Sequence, residues 1–207
     1  MKKIVIASLA ILSLGLSFTS CKKEEEKQYE NEVNIYSNKY EFLDARSYTD
    51  WVYFSLTSNS IVQVTDYQND LSWDIAFHRG DVRLNGGASG KGQGAALDSQ
   101  SKDFNAVLEA PKTGYVKDSV GTVVTAFTGN GVEQEQQPFS QTLSTWLTTD
   151  ISTPPPVYTV NNNVYIIKTA NGSIAKIQMY DNKNATGSAG YISFKYQVNN
   201  SAGYTFK

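Results

Sequence analysis

The chain has 207 residues, of which 40% are hydrophobic, 12% aromatic and 18% charged, and its formal net charge at pH 7 is −2. This length suits one ordinary domain with a real core. The 13 tyrosines favour β-structure. The nearly neutral charge argues against a nucleic-acid partner, because such proteins carry a basic footprint. One cysteine and one histidine exclude a disulfide framework and a His/Cys zinc site within one chain.

The N-terminus has the pattern of a secretory signal peptide over residues 1–20. Two lysines precede an almost wholly apolar run that extends to Phe18. This run is shorter than the roughly 20 residues that a membrane-spanning helix needs. It ends in Ser-Phe-Thr-Ser-Cys, small residues before the only cysteine, Cys21. We therefore expect cleavage before Cys21 and acylation of its thiol, which anchors the protein in a membrane. The alternative is an ordinary signal peptide with a coincidental or buried cysteine.

The segment that follows is polar and without periodicity. Cleavage removes two of the 18 basic residues and none of the 20 acidic ones, so the mature chain has 16 basic residues and a net charge of −4. Such a composition is typical of a solvated tether rather than of a packed element. We therefore divide the chain into a signal peptide (1–20), a lipidated cysteine with its polar tether (21–32) and a folded domain (33–207).

The folded part shows short alternating runs that are separated by turn residues. An Asn-Gly pair at Asn171-Gly172 lies between two apolar runs and predicts a hairpin, and Asn130-Gly131 is a second turn of this kind. We expect a short helix over 142–147 and find no internal repeat and no βαβ spacing. The pattern predicts strands over 48–56, 61–64, 71–79, 122–128, 157–160, 164–168, 174–180 and 191–198. The predicted fold class is therefore a single all-β domain.

A glycine-rich block over residues 85–94 is the most conspicuous local feature. It does not fit a phosphate-binding Walker loop, because Gly92 stands where a Ser or Thr must bind magnesium. It also lacks the helix and the βαβ unit of a dinucleotide loop. We interpret the block as a tight, buried loop or bulge that needs backbone freedom.

His78 and Met179 are the remaining residues with distinctive chemistry. His78 with Asp74 and a serine would suggest a hydrolytic triad, but the sequence has no nucleophile elbow. His78 shares a strand face with Asp74, which favours a hydrogen-bonded structural histidine. Met179 is in phase with apolar neighbours and is interpreted as core packing. The sequence therefore predicts no enzymatic activity.

Three stretches of the chain strongly resemble the HmuY family: residues 69–97, 171–178 and 190–196. The resemblance runs from about Tyr48 to the C-terminus. It implies an all-β domain whose haem pocket lies between projecting loops. It further implies a haem-binding outer-membrane lipoprotein of the Bacteroidetes, which takes haem from host carriers and passes it to a TonB-dependent receptor. Lys23-Glu24-Glu25 resembles the surface-export signal of such lipoproteins, which implies exposure on the cell surface.

The resemblance also exposes a departure at the haem ligands. Family members bind the iron with two histidines or two methionines on two loops. The corresponding residues here, about 129–137 and 148–156, contain neither His nor Met. Haem iron accepts imidazole, thioether, thiolate or phenolate ligands, so Tyr158 is the nearest candidate ligand. The alternative for Tyr158 is a strand aromatic that packs against the pocket.

Two functions follow from these observations. The first is a surface lipoprotein that binds haem or a related porphyrin for iron acquisition, with axial ligation altered or lost. Here apolar contacts would hold the porphyrin, with its propionates bound by Lys, Arg or hydroxyl groups. The second is the same scaffold serving a siderophore, another small molecule or a cell-surface protein partner.

Overall fold

The computed structural model of the protein describes residues 34–152, 155–201 and 203–207. The expected signal peptide, Cys21, the tether and its Lys23-Glu24-Glu25 segment lie outside these ranges. The described residues form thirteen strands: β1 (Ile35–Asp44), β2 (Val52–Ser55), β3 (Ser60–Ile61), β4 (Ile75–His78), β5 (Asp81–Leu84), β6 (Ala95–Asp98), β7 (Ser119–Thr128), β8 (Gly131–Phe139), β9 (Leu147–Asp150), β10 (Val157–Val160), β11 (Tyr165–Lys168), β12 (Ile174–Lys183) and β13 (Ala189–Asn199). Two short 3-10 turns, Gly87–Ser89 and Leu143–Trp146, complete the elements. The prediction of an all-β fold is confirmed.

Two antiparallel sheets build the body of the domain. The larger sheet has five strands in the order β1-β13-β12-β11-β6, and the smaller has four in the order β3-β2-β4-β5. One cluster of buried side chains comes from both sheets, so the main core lies between them. Phe194 of the larger sheet contacts Phe54 and Phe77 of the smaller one, with ring centroids 5.2 Å apart in both pairs. Such edge-on and tilted ring pairs add about 1 kcal/mol each to the free energy of apolar burial.

A second, smaller core covers the other face of the five-stranded sheet. Ile166 points into this cluster, whereas its neighbours Tyr165 and Ile167 point into the main core. Both faces of β11 are therefore buried, one in each cluster. This explains why β11 is a continuous apolar run rather than an alternating one. No helix of the described ranges is long and apolar enough to cross a membrane.

Two ribbons of paired strands stand apart from the sheets. The first ribbon is the hairpin β7–β8, in which Thr128 pairs with Gly131 at the tip and Ser119 with Phe139 at the root. The second ribbon is the antiparallel pair β9–β10, in which Asp150 pairs with Val157. Within the stretches expected to form two projecting loops, residues 131–137 and 148–150 are strand residues, whose backbone polar groups are satisfied by pairing. The two stretches expected to project from the all-β domain thus belong to these ribbons and to the turns at their ends.

The hairpin predicted around Asn171-Gly172 is confirmed. Strands β11 and β12 pair from Lys168 opposite Ile174 onwards, and the turn between them is closed by a hydrogen bond from the Gly172 amide to the Thr169 carbonyl, 3.0 Å long. Gly172 has a φ of +90°, a conformation that disfavours other residues. The glycine carries the turn, as expected for such a pair.

The glycine-rich block wraps a buried asparagine, Asn85. The Asn85 side-chain amide donates to the Asp70 and Trp73 carbonyls, over 2.7 and 2.9 Å. A Cβ at Gly86 would lie only 2.2 Å from the Gly94 carbonyl oxygen, so no larger residue fits there. The interpretation of this block as a tight, buried loop is confirmed.

The prediction of a long alternating strand over 71–79 is wrong in extent. The strand begins at Ile75, and Leu71, which was expected on the apolar face, is 53% exposed. Every residue of β4 is buried: Ile75 and Phe77 lie in the main core, and on the opposite face Trp51 stacks on His78, with ring centroids 5.1 Å apart. The periodicity of the sequence does not show that this second face of β4 is buried, because Trp51 comes from another part of the chain.

The strands predicted over 48–56 and 61–64 are likewise shorter in the structure, as β2 (Val52–Ser55) and β3 (Ser60–Ile61). The predicted helix over 142–147 is the 3-10 turn Leu143–Trp146. The strand predicted over 157–160 has the bounds of β10.

Candidate functional site

A cleft of about 440 Å³ opens between the two ribbons. This volume lies within the range of ordinary small-molecule sites. The ribbons supply its walls, and its floor comes from the turn between β4 and β5. The cleft therefore occupies the region in which the family resemblance places a ligand.

The walls of the cleft are apolar and largely exposed. Phe127 and Val132 of the first ribbon are 53% and 42% exposed, and Ile151, after β9, is 59% exposed. Large apolar side chains that line one concave surface and remain in water are typical of a binding site. The arrangement suits a ligand with an extended apolar body.

The floor of the cleft carries a positive charge on Arg79. This residue has a φ of +52°, in the left-handed region that a non-glycine residue occupies at a cost of about 1 kcal/mol. The Arg79 guanidinium stacks on the ring of Tyr48, 4.0 Å from the ring centroid, and donates to the Arg46 carbonyl over 2.8 Å. Among the described residues, no carboxylate lies within ion-pair distance of Arg79. The side chain is therefore fixed in position and keeps an uncompensated charge.

Tyr158 lies in the second ribbon and lines the same cleft. It is half-buried, and its hydroxyl oxygen accepts a hydrogen bond from Arg79 Nη2 over 3.4 Å. This contact holds the phenol oxygen next to the guanidinium on the floor of the cleft. The structure thus places the predicted candidate ligand inside the cleft, beside its cation.

Tyr48 is a second phenol in the cleft, and sequence reasoning did not single it out. Its ring also meets the ring of Phe127 edge-on, with centroids 5.5 Å apart. Burial raises the pKa of Tyr48, and the charge of Arg79 offsets part of that rise. Burial thus disfavours an anionic Tyr48, and its ring contacts both Arg79 and Phe127 of the first ribbon.

His78 lies outside the cleft lining and is buried, with 1% of its surface exposed. Its Nδ1 atom is 3.6 Å from an Asp81 carboxylate oxygen and has no hydrogen-bond partner among the described residues. Asp74, the expected partner on the same strand face, instead accepts hydrogen bonds from the Leu56 and Ala170 amides. His78 is structural, as predicted, but the expected hydrogen bond is replaced by ring stacking and the proximity of Asp81.

Met179 also lies outside the cleft. It is 1% exposed within the main core, which confirms its predicted packing role. Within the described ranges, no group of three or more His, Cys, Asp or Glu side chains could hold a metal ion. The cleft lining contains the phenols of Tyr48 and Tyr158 and the carboxylate of Asp81, and this carboxylate is directed to His78.

Two buried charges hold the root of the first ribbon. The Arg83 guanidinium lies 3.8 Å from the Trp51 ring centroid and donates to the Pro138 carbonyl at the end of β8, over 2.9 Å. Asp118 directly precedes β7, and its carboxylate accepts a hydrogen bond from the Leu84 amide over 2.8 Å. Burial raises the pKa of Asp118 to about 7, although the Ser89 hydroxyl lowers it in part. Arg83 and Asp118 thus bind the ends of β8 and β7, the two strands of this cleft wall, to the four-stranded sheet.

The residues that sequence reasoning missed are Arg79 and Tyr48. The only local signal at Arg79 is its place before Gly80 in a tight turn. Its left-handed backbone and its contact with Tyr158 depend on tertiary structure. A charged residue at a turn tip is too common in sequences to indicate a site.

Fold and cleft together define an all-β ligand-binding protein in which two ribbons enclose an apolar cleft above an arginine. The chain matches the family model for the HmuY protein over residues 47–196. It is 30% identical to a protein of Bacteroides vulgatus described as HmuY-like and heme-binding, with a TM-score of 0.63, over 77% of this chain and 90% of that one. The chain belongs to the HmuY family, a family of haem-binding type.

Further solved structures share the fold. A protein of Bacteroides fragilis described as a lipoprotein is 29% identical, with a TM-score of 0.64, over 77% of this chain and 88% of that one. The apo form of a Tannerella forsythia HmuY analogue is 22% identical, with a TM-score of 0.66, over 81% of this chain and 98% of that one. No curated protein matches the chain.

Proposed function

We propose that this protein is a surface-exposed lipoprotein that binds haem or a related porphyrin for iron acquisition. The observation that carries the proposal is the apolar cleft between two ribbons in a chain of the HmuY family. An apolar ring system fits between walls that otherwise leave Phe127 and Ile151 in water. The protein supplies binding and transfer rather than catalysis, with haem as its cargo.

The donor groups of the cleft fit a porphyrin iron, but with ligands that differ from those the family resemblance implies. Phenolate is an established haem ligand, and Tyr158 is the cleft phenol whose hydroxyl oxygen contacts Arg79. We therefore assign Tyr158 as the candidate axial ligand. A single oxygen ligand gives a five-coordinate, high-spin ferric iron, in contrast to a site with two imidazoles or two thioethers.

The N-terminal residues supply the proposed location. The apolar run and Cys21 support removal of residues 1–20 and acylation of the cysteine. Residues 21–32 would then be a tether that carries the Lys23-Glu24-Glu25 export signal, with the β domain over 33–207. The partner proposed from the family resemblance is a TonB-dependent outer-membrane receptor, to which the haem is delivered.

A second candidate function is the same scaffold with another ligand, such as a siderophore, or with a protein partner on the cell surface. The lack of His and Met at residues 129–137 and 148–156 favours this candidate. Both ribbons would then retain their fold while their facing side chains serve a different cargo.

A haemin titration followed by absorbance distinguishes these functions. We expect wild type to form a high-spin complex whose charge-transfer bands disappear in Tyr158→Phe. The matched control is Tyr48→Phe, which removes a phenol from the same cleft and should retain these bands. A low-spin complex that disappears in His78→Ala or Met179→Ala would contradict the assignment. Wild type that binds no haemin would favour the second candidate.

A further inference from the structure

We propose that the cleft selects its ligand by a carboxylate that pairs with Arg79, and that it therefore accepts porphyrins with or without a metal. This inference rests on the proposed function and adds the chemical group by which the ligand is recognised. The phenol of Tyr158 affects only metal-bearing ligands in this scheme, whereas Arg79 acts on every carboxylate-bearing one.

Among the described residues, no acidic side chain balances the charge of Arg79. Arg79 is half-buried, and its nearest acidic neighbour in the turn, Asp81, directs a carboxylate oxygen to His78 at 3.6 Å. No other carboxylate among the described residues reaches Arg79. A half-buried guanidinium without a counter-ion is a suitable receptor for an anion.

The Arg79 guanidinium also has N–H donors without a partner among the described residues. Arg79 has five N–H groups, of which one donates to the Arg46 carbonyl and one to the Tyr158 hydroxyl. The contacts of the described residues leave the other three N–H groups for a ligand. A carboxylate accepts two parallel hydrogen bonds from such a fork.

Two contacts hold the side chain of Arg79 in one position. Stacking on Tyr48 and the hydrogen bond to Arg46 hold a long side chain that otherwise loses much conformational entropy on binding. The positive φ of Arg79 would suit Gly or Asn better, so the position is not optimised for stability alone. Backbone strain of this kind is concentrated at ligand sites.

The ligand class follows from the walls and the floor together. The apolar side chains on both ribbons suit a ligand with an extended apolar body. Arg79 on the floor of the cleft suits an acidic group at the edge of that ligand. A porphyrin with propionate side chains has both features, and its metal contributes to neither. Metal-free protoporphyrin IX therefore tests recognition of the carboxylate separately from any contact with a metal.

The experiment measures binding of protoporphyrin IX and of its dimethyl ester by fluorescence quenching, in the same detergent and at the same pH. Wild type should bind the acid about 10- to 100-fold more tightly than the ester, as expected for a charge-assisted hydrogen bond. Arg79→Gln should weaken binding of the acid by a similar factor and leave the ester unchanged. Equal affinity of wild type for acid and ester would overturn the inference.

The matched control is Arg46→Gln, which removes an equal charge from a residue that is paired with Asp44 and lies outside the cleft lining. It should bind the acid as wild type does, whereas an equal loss would mean that general electrostatics, not pairing, is responsible. Arg79→Asn serves as a second variant, since Asn tolerates a positive φ. It should remain folded and show the same loss of acid binding.

The outcomes separate the inference from the proposed function. Wild type that binds neither haemin nor protoporphyrin IX would overturn both. Wild type that binds both ligands, with unchanged affinity in Arg79→Gln, would overturn only the role of Arg79. A loss confined to the carboxylate-bearing ligands supports the inference.

Discussion

The carboxyl of Asp118 is expected to make the stability of the domain depend on pH. Burial raises its pKa well above the usual value of an aspartate, to about 7 in the folded protein. In the unfolded chain the pKa returns to about 3.9. Between these two values the folded state binds more protons than the unfolded state, so the free energy of unfolding falls as the pH rises. The stabilisation is present below about pH 4 and lost above about pH 7.

The size of the effect follows from the difference between the two pKa values. About three units correspond to ~4 kcal/mol, which is an upper value for the loss of stability between pH 4 and 8 from this group. Asp118→Asn keeps the shape and an acceptor for the Leu84 amide but cannot ionise. Its stability should therefore exceed that of wild type at pH 8 and approach it at pH 5.

Urea unfolding at pH 5 and pH 8, followed by tryptophan fluorescence, measures this effect. The matched control is Glu133→Gln, which removes an exposed carboxylate from the same ribbon. The control should keep the pH dependence of wild type, and Asp118→Asn should lose most of it. If Asp118→Asn and wild type show equal pH dependence, the carboxyl has an ordinary pKa and the reasoning is refuted. Because Asp118 precedes β7, a loss of stability above pH 7 should begin at the root of the first ribbon.

Three further predictions concern the core and the N-terminus. Phe194→Ala should lower the free energy of unfolding by about 3–5 kcal/mol, whereas Phe42→Ala, at a 44% exposed residue, should change it by less than about 1 kcal/mol; urea unfolding checks both. Cys21→Ala should abolish labelling of the protein by a fatty-acid analogue in cells, and a variant that remains labelled would contradict acylation at this residue. Replacing Lys23-Glu24-Glu25 by alanines should preserve labelling but remove access to external protease; unchanged access would contradict the export signal.

Local signals in the sequence were sufficient for the hairpins and for several strands. Asn171-Gly172 marks its turn, because glycine accepts a positive φ there whatever the rest of the fold does. The strand over 157–160 was predicted with the bounds of β10. The turn and this strand both depend on residues that are close in sequence, so a short stretch of sequence is enough to predict them.

The predictions that failed depended on partners distant in sequence. On the face of β4 opposite the core, His78 is covered by Trp51, which lies 27 residues earlier in the chain. The alternation of apolar and polar residues does not show this contact. The extent of the two ribbons also depends on pairing with residues outside the predicted stretches, as Val123 pairs with Glu135. Pairing of this kind is a property of the folded chain.

By itself, the sequence determined the all-β class, the family resemblance and the absence of His and Met from the ribbon segments. These follow from composition, periodicity and residue identity, which need no coordinates. Tertiary structure alone decided that Arg79 meets Tyr158, 79 positions further along the chain, and stacks on Tyr48 beneath two apolar ribbons. The physical reason is that a binding cleft is made of side chains whose proximity arises only when the sheets pack, and the free energy of that packing comes from the core rather than from the site.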